Sequence, residues 1–428
     1  MGAPRRSGSV IGFWALLALV VGNMIGSGIY ILPATLAPLG WNQMLGWLVT
    51  IGGALCLAMV FARLGAKLPL AGGPYAYADA AFGRLAGFIT AWSYWVMIWA
   101  GNGAIAVAVV SNLSLIFPVI GQVAGLPALL VVACVWLLTL VNIAGVREAS
   151  RVQAVTTLLK LLPLVLLIGL ALYLVASGAP RAPDPGVALS GHAIANAAGL
   201  TFWGFLGLES ATVPADKVDN AARTVPRATM IGMALAGVIY LGISGAFALY
   251  MPVAEAAASP APVADFLGRY FGSGMAGAVA LFAAISAFGT LNGFILLQGE
   301  VPRAMARGGV FPRWLGKDGA RGTPVRAHVL SSVLLTVVAL LNYQKGMADL
   351  FAFIASVSLA AGMLSYLMSA LAALRLQPGD RRFAVVALIA AAFTIWATWG
   401  LGNEAMAYGA LLVLAGLPVY WAVRRTAR

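Results

Sequence analysis

Charge is so sparse in this chain that apolar runs long enough to cross a bilayer follow one another almost from end to end. Only 9% of its 428 residues are Asp, Glu, Lys or Arg, while 62% are hydrophobic. A soluble domain carries about a quarter of its residues charged, so this composition belongs in lipid. A helical span takes about 20 apolar residues. Cutting the chain at charged and Pro/Gly-rich breaks leaves twelve candidates, at roughly 10–37, 41–66, 85–115, 124–146, 152–177, 190–214, 227–252, 273–305, 325–343, 348–375, 382–400 and 404–423. No stretch between them could hold a soluble domain. The expectation is one all-α membrane domain over 1–428, with twelve transmembrane helices in the lipid bilayer.

The net charge of +13 is distributed like a topology signal. With twelve spans and both termini cytoplasmic, every Lys and Arg except Arg181, Arg269 and Lys345 falls on the inner side or at its helix ends. Arg5, Arg6, Arg63, Lys67, Arg84, Arg147, Arg151 and the run from Arg303 to Arg326 are examples. The opposite orientation inverts that bias. Basicity is therefore read as topology, and no nucleic-acid partner is expected. Arg5-Arg6 before an apolar run resembles an export signal, but the glycine-rich stretch and second span that follow predict a retained first helix. Cys56 and Cys134 read as packing residues in apolar helices, without metal spacing. His192 and His328 lie near predicted span ends without an evident nucleophile partner. Neither an enzyme nor a cofactor or metal is expected.

Two spans are punctuated in the middle. The first carries Gly22-Asn23-Met24-Ile25-Gly26-Ser27-Gly28 with Pro33 beyond; the sixth carries Trp203-Gly204-Phe205-Leu206-Gly207-Leu208-Glu209-Ser210. Glycines also simply pack membrane helices. Here each interruption opens a half, spans one to five and six to ten, and paired interruptions in register point to an inverted-repeat transporter with its site at the midplane. The repeats are expected at approximately 10–177 and 190–375, with peripheral extra helices over 382–423. Unwinding frees backbone groups that survive in lipid only where protein, water or ligand pairs with them. A half-helix N-terminus suits a carboxylate and an opposed C-terminal end suits an ammonium, so the pair forms a receptor for a zwitterion.

Glu209 is the one acid placed inside a span rather than near an end. A carboxyl there costs roughly 3 kcal/mol or more unless paired or hydrated, which marks function by default. It reads either as a carboxylate satisfied by nearby backbone, or as a proton-sensitive switch or counter-ion for a cationic substrate. Tyr94, Trp95, Trp203, Phe294 and Tyr366 lie near the interruptions. Trp203 stands within one of them, where an indole can close over the site and hold a cation against its face. Lys160 is nine residues past Arg151, about 13 Å along a helix. Its stem either snorkels to the interface or sets its ammonium against the interrupted first helix.

At these residues the sequence resembles the amino acid–polyamine–organocation superfamily, and within it the bacterial basic amino acid/polyamine antiporters. The match is carried by Gly22 to Gly28 with Leu32-Pro33-Ala34, and by Gly72-Gly73-Pro74-Tyr75-Ala76-Tyr77-Ala78. Trp203 to Ala211 with Asn220 and Val225-Pro226-Arg227-Ala228-Thr229 continues it, followed by Gly308-Gly309-Val310-Phe311-Pro312 and Gly322-Thr323-Pro324-Val325. The resemblance implies a LeuT-like fold, a 5+5 inverted repeat with broken helices 1 and 6 plus two extra helices. It implies a multi-pass protein of the bacterial inner membrane, with an amino acid or polyamine as its small-molecule partner. A homodimer is implied by the resemblance alone.

Carried over residue by residue, the substrate carboxylate would meet the backbone of Ser27 and Gly28, and its amino group the carbonyls near Asn23, Trp203 and Leu206. Ile25, Asn102, Phe294 and Ser358 would complete the substrate contacts, with Asn102 facing the distal end. Trp203 would be a proximal gate; Tyr94, Glu209 and Tyr366 would form a distal, proton-sensing gate. Two departures bear on substrate and coupling. Phe294 stands where arginine-specific members place a stacking tryptophan. Lys160 replaces a small residue and resembles the fifth-helix lysine of sister branches, which makes it the coupling candidate. The expected function is sodium-independent exchange of a cationic amino acid for its amine or another amino acid by alternating access. Proton-coupled or facilitative transport of neutral amino acids is the alternative. A channel would need a polar ring through several spans, where only isolated polar positions occur; a nutrient sensor on a transporter fold stays open.

Overall fold

A computed structural model describes residues 12–68, 73–144, 146–209, 211, 218, 220–341 and 347–426. Arg5, Arg6, Gly72, Ser210 and Lys345 lie outside the described residues, as do the side chains of Arg147 and Arg151.

Every regular element among the described residues is a helix. The chain begins with α1 (Phe13–Met24), resumes after Ile25–Ser27 as α2 (Gly28–Leu36), and continues through α3 (Asn42–Lys67), α4 (Pro74–Phe82) and α5 (Arg84–Ile116). The short α6 (Val119–Gln122) leads to α7 (Leu126–Ala144) and α8 (Val146–Ala176). After an irregular stretch come α9 (Gly191–Phe202), α10 (Ala221–Tyr250), and the short pair α11 (Val253–Ala258) and α12 (Pro262–Phe271). The remainder is α13 (Ser273–Arg307), α14 (Val325–Leu341), α15 (Met347–Leu376), α16 (Arg381–Gly400), α17 (Asn403–Leu414) and α18 (Gly416–Thr426). Nine helical stretches among the described residues are long and apolar enough to cross a membrane, the first running through the α1–α2 interruption as Leu16–Leu39. Lys160–Ala176 and Val325–Leu341 are shorter apolar helices.

These helices are apolar nearly all round, the pattern of membrane segments rather than of half-wet surface helices. Their depth in the bundle differs sharply. The most apolar window of α5 is 94% buried, whereas that of Asn403–Arg425 is 17% buried. The helix α5 is therefore the central post, packed on α13 and α15, and α16 and α17 turn Leu388, Ile395 and Leu411 outward. Apolar matching cannot hold helices together in lipid, so interhelical polar contacts matter. Thr50 and Thr201 hydroxyls, 2.8 Å apart, join α3 to α9, and the Ser93 hydroxyl donates to the Ala361 carbonyl to join α5 to α15.

Candidate functional site between the helix interruptions

The first interruption begins where Ile25 leaves helical geometry at φ −78°, ψ 83°. Ile25 N–H still donates to the Val21 carbonyl at 2.8 Å, but Gly26 N–H turns to Met24 O at 2.9 Å. In an unbroken helix that N–H would serve Gly22 O. The Lys160 ammonium donates to the Gly22 carbonyl instead. Lys160 is 1% exposed, and its own carbonyl accepts the Tyr30 hydroxyl from α2. The structure thus sets this ammonium against the interrupted helix and not at the interface. A second donor comes from α10: the Tyr240 hydroxyl lies 2.6 Å from Met24 O and 2.7 Å from Gly204 O, so one proton serves a carbonyl from each interruption. Trp47 and Phe205 hold its ring at centroid distances of 4.9 and 5.3 Å.

At the second stretch the described residues show where the helix stops. After α9 stops at Phe202, Trp203–Phe205 tightens to a 3-10 turn. Leu206 then extends at ψ 131° and Gly207 takes φ +99°, a left-handed value open to glycine. This bend carries Glu209, 2% exposed, into the protein. Its carboxylate accepts the Tyr94 hydroxyl of α5 at 2.9 Å and the Tyr366 hydroxyl of α15 at 3.0 Å. Backbone hydrogen bonds from Gly207 and Glu209 itself also reach it. Distant side chains therefore join local backbone in satisfying the acid.

A small, partly open pocket lies beside the first interruption and the Trp203–Leu206 stretch. Of the sequence-derived candidates, Asn23, Ser27, Gly28, Trp203, Leu206 and Phe294 line it. Gly28 has a steric reason to lack a side chain: a Cβ there would stand 2.5 Å from Trp203 Cδ1. Ile25, Asn102 and Ser358 are not among the lining residues. Ile25 is wholly buried in the core. Asn102 Nδ2 donates to Gln298 Oε1 at 2.7 Å, and the Ser358 hydroxyl donates to the Met97 carbonyl at 2.7 Å. Tyr94, Glu209 and Tyr366 form their own buried cluster, and Lys160 sits behind the first interruption.

Sequence reasoning passed over Met97, Gly101, Ile105 and Thr290, which also line the pocket, and the bridging Tyr240. Tyr240 and Gln298 are polar groups inside apolar helices, and that placement is the signal that could have flagged them. His328 is buried at the start of α14 against Gly299, and the His192 ring meets Trp399 edge-on. No group of three or more His, Cys, Asp or Glu among the described residues could hold a metal ion.

A bundle of long apolar helices with a pocket beside the α1–α2 interruption and the end of α9 frames the comparison with known proteins. The chain belongs to the amino acid permease family, whose model matches residues 11–415. It is 35% identical over 379 residues to the cadaverine/lysine antiporter of Escherichia coli (strain K12), covering 87% of this chain and 84% of that protein. It is 32% identical to the putative arginine/ornithine antiporter of Bacillus subtilis (strain 168), over 90% of each chain. It is 30% identical to the putrescine transporter PotE of Haemophilus influenzae, over 96% of each. These relatives are transporters, and they place the chain among the basic amino acid/polyamine antiporters of the superfamily.

Proposed function

We propose that this protein is a secondary transporter of the bacterial inner membrane that exchanges a cationic amino acid for its amine, or for another amino acid, without sodium. The proposed architecture is twelve spans with both termini cytoplasmic. Inverted repeats occupy approximately 10–177 and 190–375, helices 1 and 6 are broken, and the helices over 382–423 lie outside the repeat. The observation that carries the reading is the pocket bounded by the start of α2 and by Met24 and Trp203. Its lining joins the N-terminal end of α2 to the C-terminal ends of α1 and α9, a pairing of helix ends that suits both ends of an α-amino acid. The relatives' cadaverine/lysine, arginine/ornithine and putrescine specificities support a basic substrate.

In this reading the α-carboxylate takes the backbone N–H groups of Ser27 and Gly28. The α-ammonium takes carbonyls near Asn23, Trp203 and Leu206, beside the chain bend at Ile25. The side chain runs along Phe294 toward Asn102, with Ser358 supporting α5 from behind. Trp203 closes over the substrate, while Tyr94, Glu209 and Tyr366 form a second, proton-sensitive gate. Lys160 supplies the fixed positive charge at the first interruption that a coupling cation would otherwise bring. Alternating access follows from rocking of the interrupted helices against the rest of the bundle, with a homodimer as the proposed assembly.

Lys160 on the Gly22 carbonyl and the smaller Phe294 favour one second reading, proton-coupled or facilitative transport of neutral amino acids. Uptake of radiolabelled lysine into proteoliposomes separates the two. Uptake that depends on internal lysine or cadaverine and ignores sodium supports exchange. Accumulation of a neutral amino acid driven by an imposed pH gradient alone supports the second reading and overturns the first.

A further inference from the structure

Behind the pocket lining lies a buried amide pair, on the helix faces that carry Ile98, Ile105 and Phe294 into the pocket. On α13, Thr290 and Phe294 line the pocket, and Gln298 follows four residues after Phe294, one turn further along the same face. On α5, Ile98 and Ile105 line the pocket; Asn102 lies between them, four residues after one and three before the other. Asn102 and Gln298 are each 0% exposed. Asn102 Nδ2 donates to Gln298 Oε1 at 2.7 Å, and Gln298 Nε2 donates to the Ser332 hydroxyl at 2.9 Å. Ser332 in turn pairs with the Thr139 hydroxyl at 2.7 Å. One N–H of the Asn102 amide is thereby engaged, and its Oδ1 is left buried without a hydrogen-bond partner.

An unpaired buried acceptor is costly, and a ligand that donates to it removes the cost. We infer that Gln298 is a specificity-determining positioning residue: by holding the Asn102 amide through its nitrogen, it reserves the Asn102 oxygen for a substrate whose far end donates, a terminal ammonium rather than a methyl. The inference rests on the proposed function and adds the residue that sets its substrate class. Gln298 does not touch the substrate; it works through Asn102. With an apolar residue at 298 the Asn102 amide is free to turn. A carboxylate at 298 accepts from Nδ2 as Oε1 does now, and leaves the Asn102 oxygen without a partner in the protein.

The test compares binding of lysine and of norleucine, which carries a methyl in place of the ammonium methylene end, to purified wild type, Gln298→Leu and Gln298→Glu. The wild type is expected to favour lysine by about tenfold or more, the scale of one satisfied buried acceptor. Gln298→Leu is expected to bring the two affinities close together by weakening lysine alone, and Gln298→Glu to keep or widen the preference. A wild type without a lysine preference overturns the proposed function and this inference with it. A wild-type preference that survives in Gln298→Leu overturns the inference alone. So does a preference lost in Gln298→Glu, which would mean that only the shape of glutamine matters; that arm decides even if the leucine variant fails to fold.

Discussion

The two interruptions solve the same physical problem with opposite chemistry. At the first, freed carbonyls are the surplus, and donors arrive from other helices: Lys160 for Gly22, Tyr240 for Met24. At the second, the chain contributes an acceptor of its own, Glu209, and two tyrosines donate to it. Backbone polar groups in lipid must be paired. One break therefore draws positive charge and the other places negative charge, and Tyr240 ties them through a shared proton. The difference teaches that the first break is held by donors reaching in from other helices, whereas the second is held through an acceptor that its own stretch of chain supplies.

That contrast can be broken in order of expected effect. Glu209→Ala strands two buried hydroxyls at about 1–3 kcal/mol each, so exchange in proteoliposomes should fall by about tenfold or more with a lowered melting temperature. Glu209→Gln, which keeps a hydrogen-bonding group, should retain the fold but flatten the pH dependence of uptake. Unchanged transport and pH profile in that variant would remove the acid from the gating mechanism. Lys160→Met strands one carbonyl and removes the charge behind the first break, and should cost about 1–3 kcal/mol in thermal unfolding together with most of the exchange rate. Wild-type behaviour would show that Gly22 needs no donor.

Tyr240→Phe removes one hydroxyl from between the breaks. Its expected cost is about 1 kcal/mol, seen as a raised KM for exchange with a smaller change in maximal rate; equal KM would mean that the breaks are not coupled there. The smallest effect lies away from both breaks and gives the baseline. Asp380 caps α16 by accepting Phe383 N–H at 3.0 Å and pairs with Arg63. The Phe383 backbone N–H first, then Arg63, hold its carboxyl below the usual carboxylate range. Since the folded pKa is depressed, this contribution is present above the unfolded value of about 3.9 and is lost as pH falls through the folded one. Asp380→Asn should therefore be slightly less stable than wild type at neutral pH, and the gap should close in acid. A gap that persists in acid would assign it to packing.

The identification of membrane segments followed from solvation alone. Apolar runs near 20 residues belong in lipid wherever they fold, and α5, α13 and α16 lie within a few residues of the expected 85–115, 273–305 and 382–400. The glycine-rich Gly22–Gly28 stretch and the acid at Glu209 were equally legible, because backbone freedom and the cost of burying charge are local properties. Partners were not. Tyr94 and Tyr366 reach Glu209 across 115 and 157 residues, Lys160 reaches Gly22 across 138, and Asn102 reaches Gln298 across 196. Helices that are apolar on nearly every face carry no stripe to say which side turns inward. Their rotation is set by close packing and by the polar contacts themselves. The sequence by itself thus determined that long apolar helices make up the chain and where the first of them gives way. Only the tertiary structure decided which side chains meet the freed groups, since that depends on how each helix is turned against its neighbours.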